Sequence, residues 1–127
     1  MGKERASQGD ELVVNRVRSS TTDTPGRSLS RVRNHELVID EPVHAGGPGE
    51  EITPAEAFLA GVSSCGVTLI EMHAKETGVP LAGLDVTIEG TRTAAEPNRF
   101  ARVSMTFEVG GVSQTQAESL VETYRQR

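Results

Sequence analysis

Hydrophobic and polar residues alternate most regularly in two stretches near the end of the chain. Leu84, Val86 and Ile88 alternate with Asp85, Thr87 and Glu89, and Val103, Met105, Phe107 and Val109 alternate with Ser104, Thr106 and Glu108. A period of two puts each apolar set on one face of a half-buried strand. The segment Ala95-Glu96-Pro97-Asn98 between them carries turn chemistry, so the two strands are expected to form a hairpin. Upstream the pattern is weaker. It predicts a strand over Leu12 to Val17, a turn at Asp23-Thr24-Pro25-Gly26, a weakly apolar strand over Arg27 to Arg33, and a short one over Leu37 to Ile39, closed by Pro42. Gly46-Gly47-Pro48-Gly49 then reads as a loop that neither helix nor strand would tolerate.

Between these regions the period changes. Thr53-Pro54-Ala55-Glu56 has the spacing of a capping box, with proline at the first helical position, where its missing N–H costs nothing. No charged residue occurs from Ala57 to Ile70. The helix is expected to run to about Thr77, because Gly78 suits the position just past a helix end and Pro80 bars continuation. About 24 residues at 1.5 Å each make a rod roughly 36 Å long. Apolar nearly all round, it is expected to be buried on most sides. So short a chain can hardly cover such a helix alone, which points to a partner subunit. A second capping box, Ser113 with Gln116, opens a last helix whose Ala117, Leu120, Val121 and Tyr124 form one apolar stripe. The order β-β-β-α-β-β-α implies antiparallel pairing and an α+β fold. Residues 1–10 read as a disordered tail and residues 11–127 as a single domain.

Composition narrows the possibilities. The aromatics are Phe58, Phe100, Phe107 and Tyr124, with no Trp, so the core is aliphatic and a base-stacking platform is not expected. The net charge of −5 also argues against nucleic acid as a partner. Yet residues 1–33 hold Lys3 and six arginines against four acids, a local charge of +3. No uninterrupted apolar run reaches the ~18 residues of a membrane span, and the polar start has no apolar signal region. A lone cysteine, Cys65, forms no internal disulfide, which suits a reducing compartment. The expectation is a cytoplasmic protein without a membrane partner.

Cys65 admits two readings. A free cysteine in a buried helix is commonly just a small hydrophobe. A reactive thiol here needs a cation beside it, because the thiolate is the nucleophile and the helix dipole fades within the first turn. The arginines of the N-terminal strands could supply that cation. Gly61 and Gly66 flank the cysteine and would clear space for a substrate, although glycine in a helix often serves close packing. His35 reads as a structural hydrogen-bonder. His73 lies eight residues past Cys65, about 80° round the helix, and His44 falls in a loop. Together they have no metal-ligand spacing, and no metal or cofactor is expected.

The ordered set Arg33-Asn34-His35 to Asp40-Glu41-Pro42, then Gly46-Gly47, then Thr53-Pro54-Ala55-Glu56-Ala57-Phe58-Leu59 running into Cys65, resembles the OsmC/Ohr family, the osmotically inducible and organic hydroperoxide resistance proteins. The resemblance extends over roughly residues 11 to 127 and favours the OsmC-like branch. It implies an intertwined homodimer built around two long central helices, with the reaction centre at the subunit interface. It also implies a role in oxidative-stress defence, in which a cysteine thiolate reduces organic hydroperoxides and a thiol or lipoyl-type carrier restores it. By this resemblance Cys65 is the peroxide-reacting residue. Arg27, just after Pro25-Gly26, best matches the activating arginine, with Arg31 and Arg33 as rivals. Two departures stand out. The family's second cysteine usually follows the last helix, where this sequence stops at Arg127, so either the sequence is truncated or an external thiol takes its place. The hydroperoxide-resistance branch carries a glutamate ten residues before the cysteine, where this chain has Ala55; Glu56, nine before it, is either catalytic or a helix cap. The other reading of the same fold is a non-catalytic dimer that binds a small apolar ligand at its interface.

Overall fold

The computed structural model describes residues 11–126, so the tail expected over residues 1–10 lies outside the described residues. The elements are β1 (Arg18–Thr21), β2 (Arg27–Val32), β3 (His35–Asp40), a single 3-10 turn (Val43–Ala45), α1 (Pro54–Glu76), β4 (Gly83–Thr91), β5 (Arg102–Gly110) and α2 (Gln114–Arg125). The fold is α+β with antiparallel sheets, as the order of elements in the sequence implies. The chain divides between Thr53 and Pro54 into two compact units.

In the first unit the three strands form one antiparallel sheet in the order β1-β2-β3. The strand expected over residues 12–17 does not form; pairing starts only at Arg18, opposite Arg31. Continuing that register would set Val17 against Val32, the last residue of β2, and everything before it against nothing. The segment keeps its strand-like composition but has no partner, and Leu12 and Val13 stand 91% and 86% exposed. The β2–β3 connection is tighter than the sequence suggests. Val32 pairs with His35, leaving a two-residue turn of Arg33 and Asn34 in which Arg33 takes a φ of 55°. No glycine advertises that turn, so the sequence reading placed it too late and started the third strand at Leu37.

In the second unit α1 begins at Pro54 and ends at Glu76, where Gly78, at φ 72°, reverses the chain. β4 and β5 pair from Gly83 opposite Gly110 to Thr91 opposite Arg102, the expected hairpin. The capping box of α2 is complete: Ser113 Oγ accepts from the Gln116 N–H at 3.1 Å, and Gln116 Oε1 accepts from the Ser113 N–H at 3.0 Å. α1 packs on β4 and on α2. Ile70 and Ala74 of α1 and Leu120 of α2 are fully buried, with Val79, Leu81, Leu84, Phe107, Val109, Val121 and Tyr124 packed around them. Burying Ile70 and Leu120 contributes about 1.5–3 kcal/mol each.

Within one chain, however, α1 buries only the stripe Gly66, Ile70 and Ala74. The sequence predicts burial on most sides; one hairpin and one twelve-residue helix cover one side. Phe58 and Met72 remain 58% and 57% exposed. By length and composition α1 is also apolar enough to cross a membrane, a test that a core helix of a soluble protein passes equally.

Candidate active site

The first unit concentrates its charge chemistry at one end of the β2–β3 ladder, where the register places Arg27 directly opposite Asp40. Arg27 Nε donates to Asp40 Oδ1 at 2.7 Å and Nη2 to Oδ2 at 2.9 Å, a bidentate fork. Asp40 is completely buried and its Oδ2 also accepts from the N–H groups of Glu50, at 3.0 Å, and Glu51, at 3.0 Å. Its carboxyl pKa is therefore held down at about 2 from the usual 3.8, chiefly by Arg27 and then by the two backbone donors, with burial opposing. Arg27 Nη2 donates once more, to Glu50 Oε1 at 2.9 Å. That second carboxylate is 72% exposed, against 24% for the arginine.

Backbone contacts fix the same corner. The Glu41 N–H donates to Gly26 O at 2.8 Å, and the Asp40 N–H to Ile52 O at 2.9 Å. Gly26 has a φ of 81°, and a side-chain carbon there would lie 2.5 Å from the Cα of Gly47. Both glycines are needed for the turn before Arg27 to touch the loop after Asp40.

In the second unit Cys65 lies in the middle of α1 and is exposed. Thr68 Oγ1 donates to its carbonyl at 3.2 Å. Phe58 stands seven residues before it and Met72 seven after, which at 100° per residue keeps all three within about 40° of one another. This face lies opposite the buried Gly66–Ile70–Ala74 stripe. Cys65 is thus set between two exposed apolar side chains. Phe58 also stacks on Phe100, with centroids 6.2 Å apart, and the Arg92 guanidinium sits 5.4 Å from the Phe100 ring centre. The two glycines flanking Cys65 separate in role. A side-chain carbon on Gly61 would meet nothing within 4 Å, whereas one on Gly66 would press on Met105 and Tyr124 at 3.3 Å. Gly66 serves packing, and only Gly61 leaves open space.

Glu56 belongs to the first turn of α1. Nine residues separate it from Cys65, which is half a turn beyond two full ones. The two therefore lie on opposite faces of the helix, about 13.5 Å apart along its axis. Of the rival arginines, Arg31 pairs with Glu36 at 3.1 Å in the open, and Arg33 forms the β2–β3 turn. His35 and His44 are exposed, and the Nδ1 of half-buried His73 has no partner among the described residues. No group of three or more metal-ligating side chains occurs among the described residues.

The sequence reading missed the partnership of Arg27 with Asp40 and Glu50. The signal was available only through register: with the turn at Arg33-Asn34, the sixth residue back on one side faces the sixth on the other. Ending one strand at Arg33 and starting the next at Leu37, with residues 34–36 between them, hides that pairing.

A model of the family described as OsmC-like protein matches residues 47–127, well over half of the chain, which takes in all of α1 with Glu56 and Cys65. No curated protein sequence matches. Among solved structures, the organic hydroperoxide resistance protein OsmC of Legionella pneumophila superposes with a TM-score of 0.71 at 22% identity, over 92% of this chain and 85% of that one. The OsmC-like protein of Mycoplasma pneumoniae gives 0.77 at 14% identity, over 93% and 83%. The organic hydroperoxide resistance protein OhrB of Bacillus subtilis gives 0.61 at 18%, over 91% and 86%. At these identities the likeness establishes the fold. With the family match over the second unit, the chain belongs to the OsmC-like family.

Proposed function

We propose that the chain is a thiol-dependent peroxidase that reduces organic hydroperoxides to alcohols in oxidative-stress defence. The observation that carries this reading is the setting of Cys65: the sole cysteine of the sequence, exposed at mid-helix, flanked by Phe58 and Met72 in an OsmC-like chain. An apolar surround favours an alkyl hydroperoxide over hydrogen peroxide, because the alkyl group gains from leaving water. The thiolate attacks the distal peroxide oxygen, the O–O bond breaks, and the alkoxide leaves with a proton as the alcohol. Cys65 becomes a sulfenic acid, the reversible first step of thiol oxidation. An external thiol, small or lipoyl-type, then displaces water to form a mixed disulfide, and a second thiol releases Cys65 reduced.

In this reading Arg27 supplies the positive charge that favours the thiolate. Glu56 fits a carboxylate at the helix start, where the dipole favours negative charge, better than a group touching the thiol of its own helix. The proposed assembly is a homodimer, which would cover the Phe58–Met72 face, and the proposed compartment is the cytoplasm, where a lone thiol stays reduced. The test is mass spectrometry of the folded protein after one equivalent of cumene hydroperoxide, with dimedone as trap. A dimedone adduct at Cys65 is expected. Its absence would leave the second reading, a non-catalytic dimer with an apolar ligand site.

A further inference from the structure

Four arginines of the first unit converge on one cleft. Arg18 of β1 stands directly opposite Arg31 of β2, so both side chains leave the sheet on the same face. Arg16, two residues before Arg18, and Arg33, in the β2–β3 turn, line the same open cleft of about 420 Å³ with Val14, Asn15 and Val32. No acidic side chain lines it. Glu36, across from Arg31 on β3, neutralises one of the four charges through its 3.1 Å contact with Arg31 Nε. Among the described residues no ion pair engages Arg16, Arg18 or Arg33.

This arrangement is unfavourable for the fold alone. Like charges directly opposite one another weaken a strand pair. Arg33 adds a second cost, because its φ of 55° strains a residue that has a side chain. Charged side chains on an edge strand guard against aggregation, which would account for Arg18 by itself. Arg31 is on the central strand of the order β1-β2-β3 and is not explained that way. A surplus of three positive charges held in one cleft, in a chain whose net charge is −5, is the setting of an anion site.

Chemistry narrows the anion. Guanidinium groups bind phosphate oxygens through paired N–H donors. A single phosphate ester carries about −1.5 to −2 at neutral pH, less than the surplus in the cleft, whereas a chain of two or three phosphates matches it. Phe58, Phe100, Phe107 and Tyr124 all belong to the second unit, so the cleft has no ring on which a base could stack. An extended polyanion, such as a nucleic acid or an anionic bilayer, would reach past the cleft to a chain that is acidic overall.

We propose that this cleft binds a small polyphosphate anion, a chain of two or three phosphate groups recognised by its charge and not by any base attached to it, with Arg16, Arg18, Arg31 and Arg33 as the donors. The site lies at the turn end of β2, away from Arg27 at its start, and does not depend on the reading of Cys65.

The experiment is calorimetric titration of the full chain with inorganic tripolyphosphate at neutral pH and low salt. Wild type should bind one tripolyphosphate per chain, at least about tenfold more tightly than inorganic phosphate, and added salt should weaken the binding. ATP should bind within about threefold of tripolyphosphate, since its base finds no partner. Arg18→Gln and Arg33→Gly should each weaken binding about tenfold or more. Arg102→Gln, at an exposed arginine that starts β5, should leave it unchanged. Without ligand, both cleft variants should resist urea at least as well as wild type, because each removes an unfavourable feature; a merely structural arginine would lose stability instead. No binding by wild type, binding that survives in the Arg18→Gln/Arg33→Gly double variant, or phosphate held as tightly as tripolyphosphate would overturn the proposal. So would wild type that floats with phosphatidylglycerol vesicles and is not released by tripolyphosphate, which would make the patch a membrane surface.

Discussion

Gly66 of α1 stands against the ring of Tyr124 in α2: a side-chain carbon at residue 66 would lie 3.3 Å from both Cε1 and Cζ of that ring. The ring in turn leans on Phe107, with centroids 5.7 Å apart, and its hydroxyl reaches Met105 Sδ at 3.5 Å. A methyl group here would have to push a ring that is already held. Replacing glycine by alanine in a helix gains about 1 kcal/mol when nothing is in the way. Gly61→Ala should show that gain in urea unfolding, because its new carbon meets nothing within 4 Å. Gly66→Ala should gain little or nothing, and Gly66→Leu should lose about 1–3 kcal/mol by overpacking. A loss at Gly61 would mean that a surface from outside this chain occupies that face.

Stability should depend on acid through Asp40. Its pKa is lowered in the fold, from 3.8 to about 2, so its contribution is complete above pH 4 and disappears as the pH falls through about 2. Asp40→Asn should therefore be clearly less stable than wild type at pH 6, and the gap should close between pH 4 and pH 2. Thermal melts across that range measure it. A gap that stays constant would mean that Asp40 stabilises through shape and not through charge.

Arg33 pays a backbone cost at the β2–β3 turn, since a φ of 55° is unfavourable for any residue with a side chain. Arg33→Gly should raise stability by up to about 1 kcal/mol, offset in part by the looser unfolded chain. The same variant bears on the choice of arginine. Peroxide consumption should stay within about twofold for Arg33→Gly and for Arg31→Ala, whose partner Glu36 is exposed, and fall at least about tenfold for Arg27→Ala, the variant that removes the proposed cation. A collapse in either of the first two with Arg27→Ala unaffected would transfer the role.

The face that carries Phe58, Cys65 and Met72 is the expected dimer contact. Met72→Glu places a charge on a residue that is 57% exposed in the single chain, so a folded monomer should tolerate it. A dimer that buries this face should not, because an unpaired buried charge costs several kcal/mol. Sedimentation at low micromolar concentration should show wild-type dimer and variant monomer. Dimeric Met72→Glu would place the interface elsewhere.

The sequence by itself determined the elements whose signals are local. Pro54 and Gly78 bracket α1 by backbone chemistry alone, the Ser113–Gln116 box starts α2, and alternation reveals β4 and β5. The same local signals misjudged residues 12–17, where the side chains favour a strand but β2 turns away at Arg33 and leaves nothing to pair with. Cys65 was legible as a candidate because it is the only cysteine and sits in a recognisable order of motifs. Its surroundings are partly periodic as well: the spacing of seven to Phe58 and to Met72 can be counted on paper. That this face is the uncovered one, and Gly66 the packed one, depends on where the hairpin and α2 dock. Arg27 shows the limit most clearly. Its meeting with Asp40 follows from strand register, and register was set by a two-residue turn without glycine, which composition does not announce.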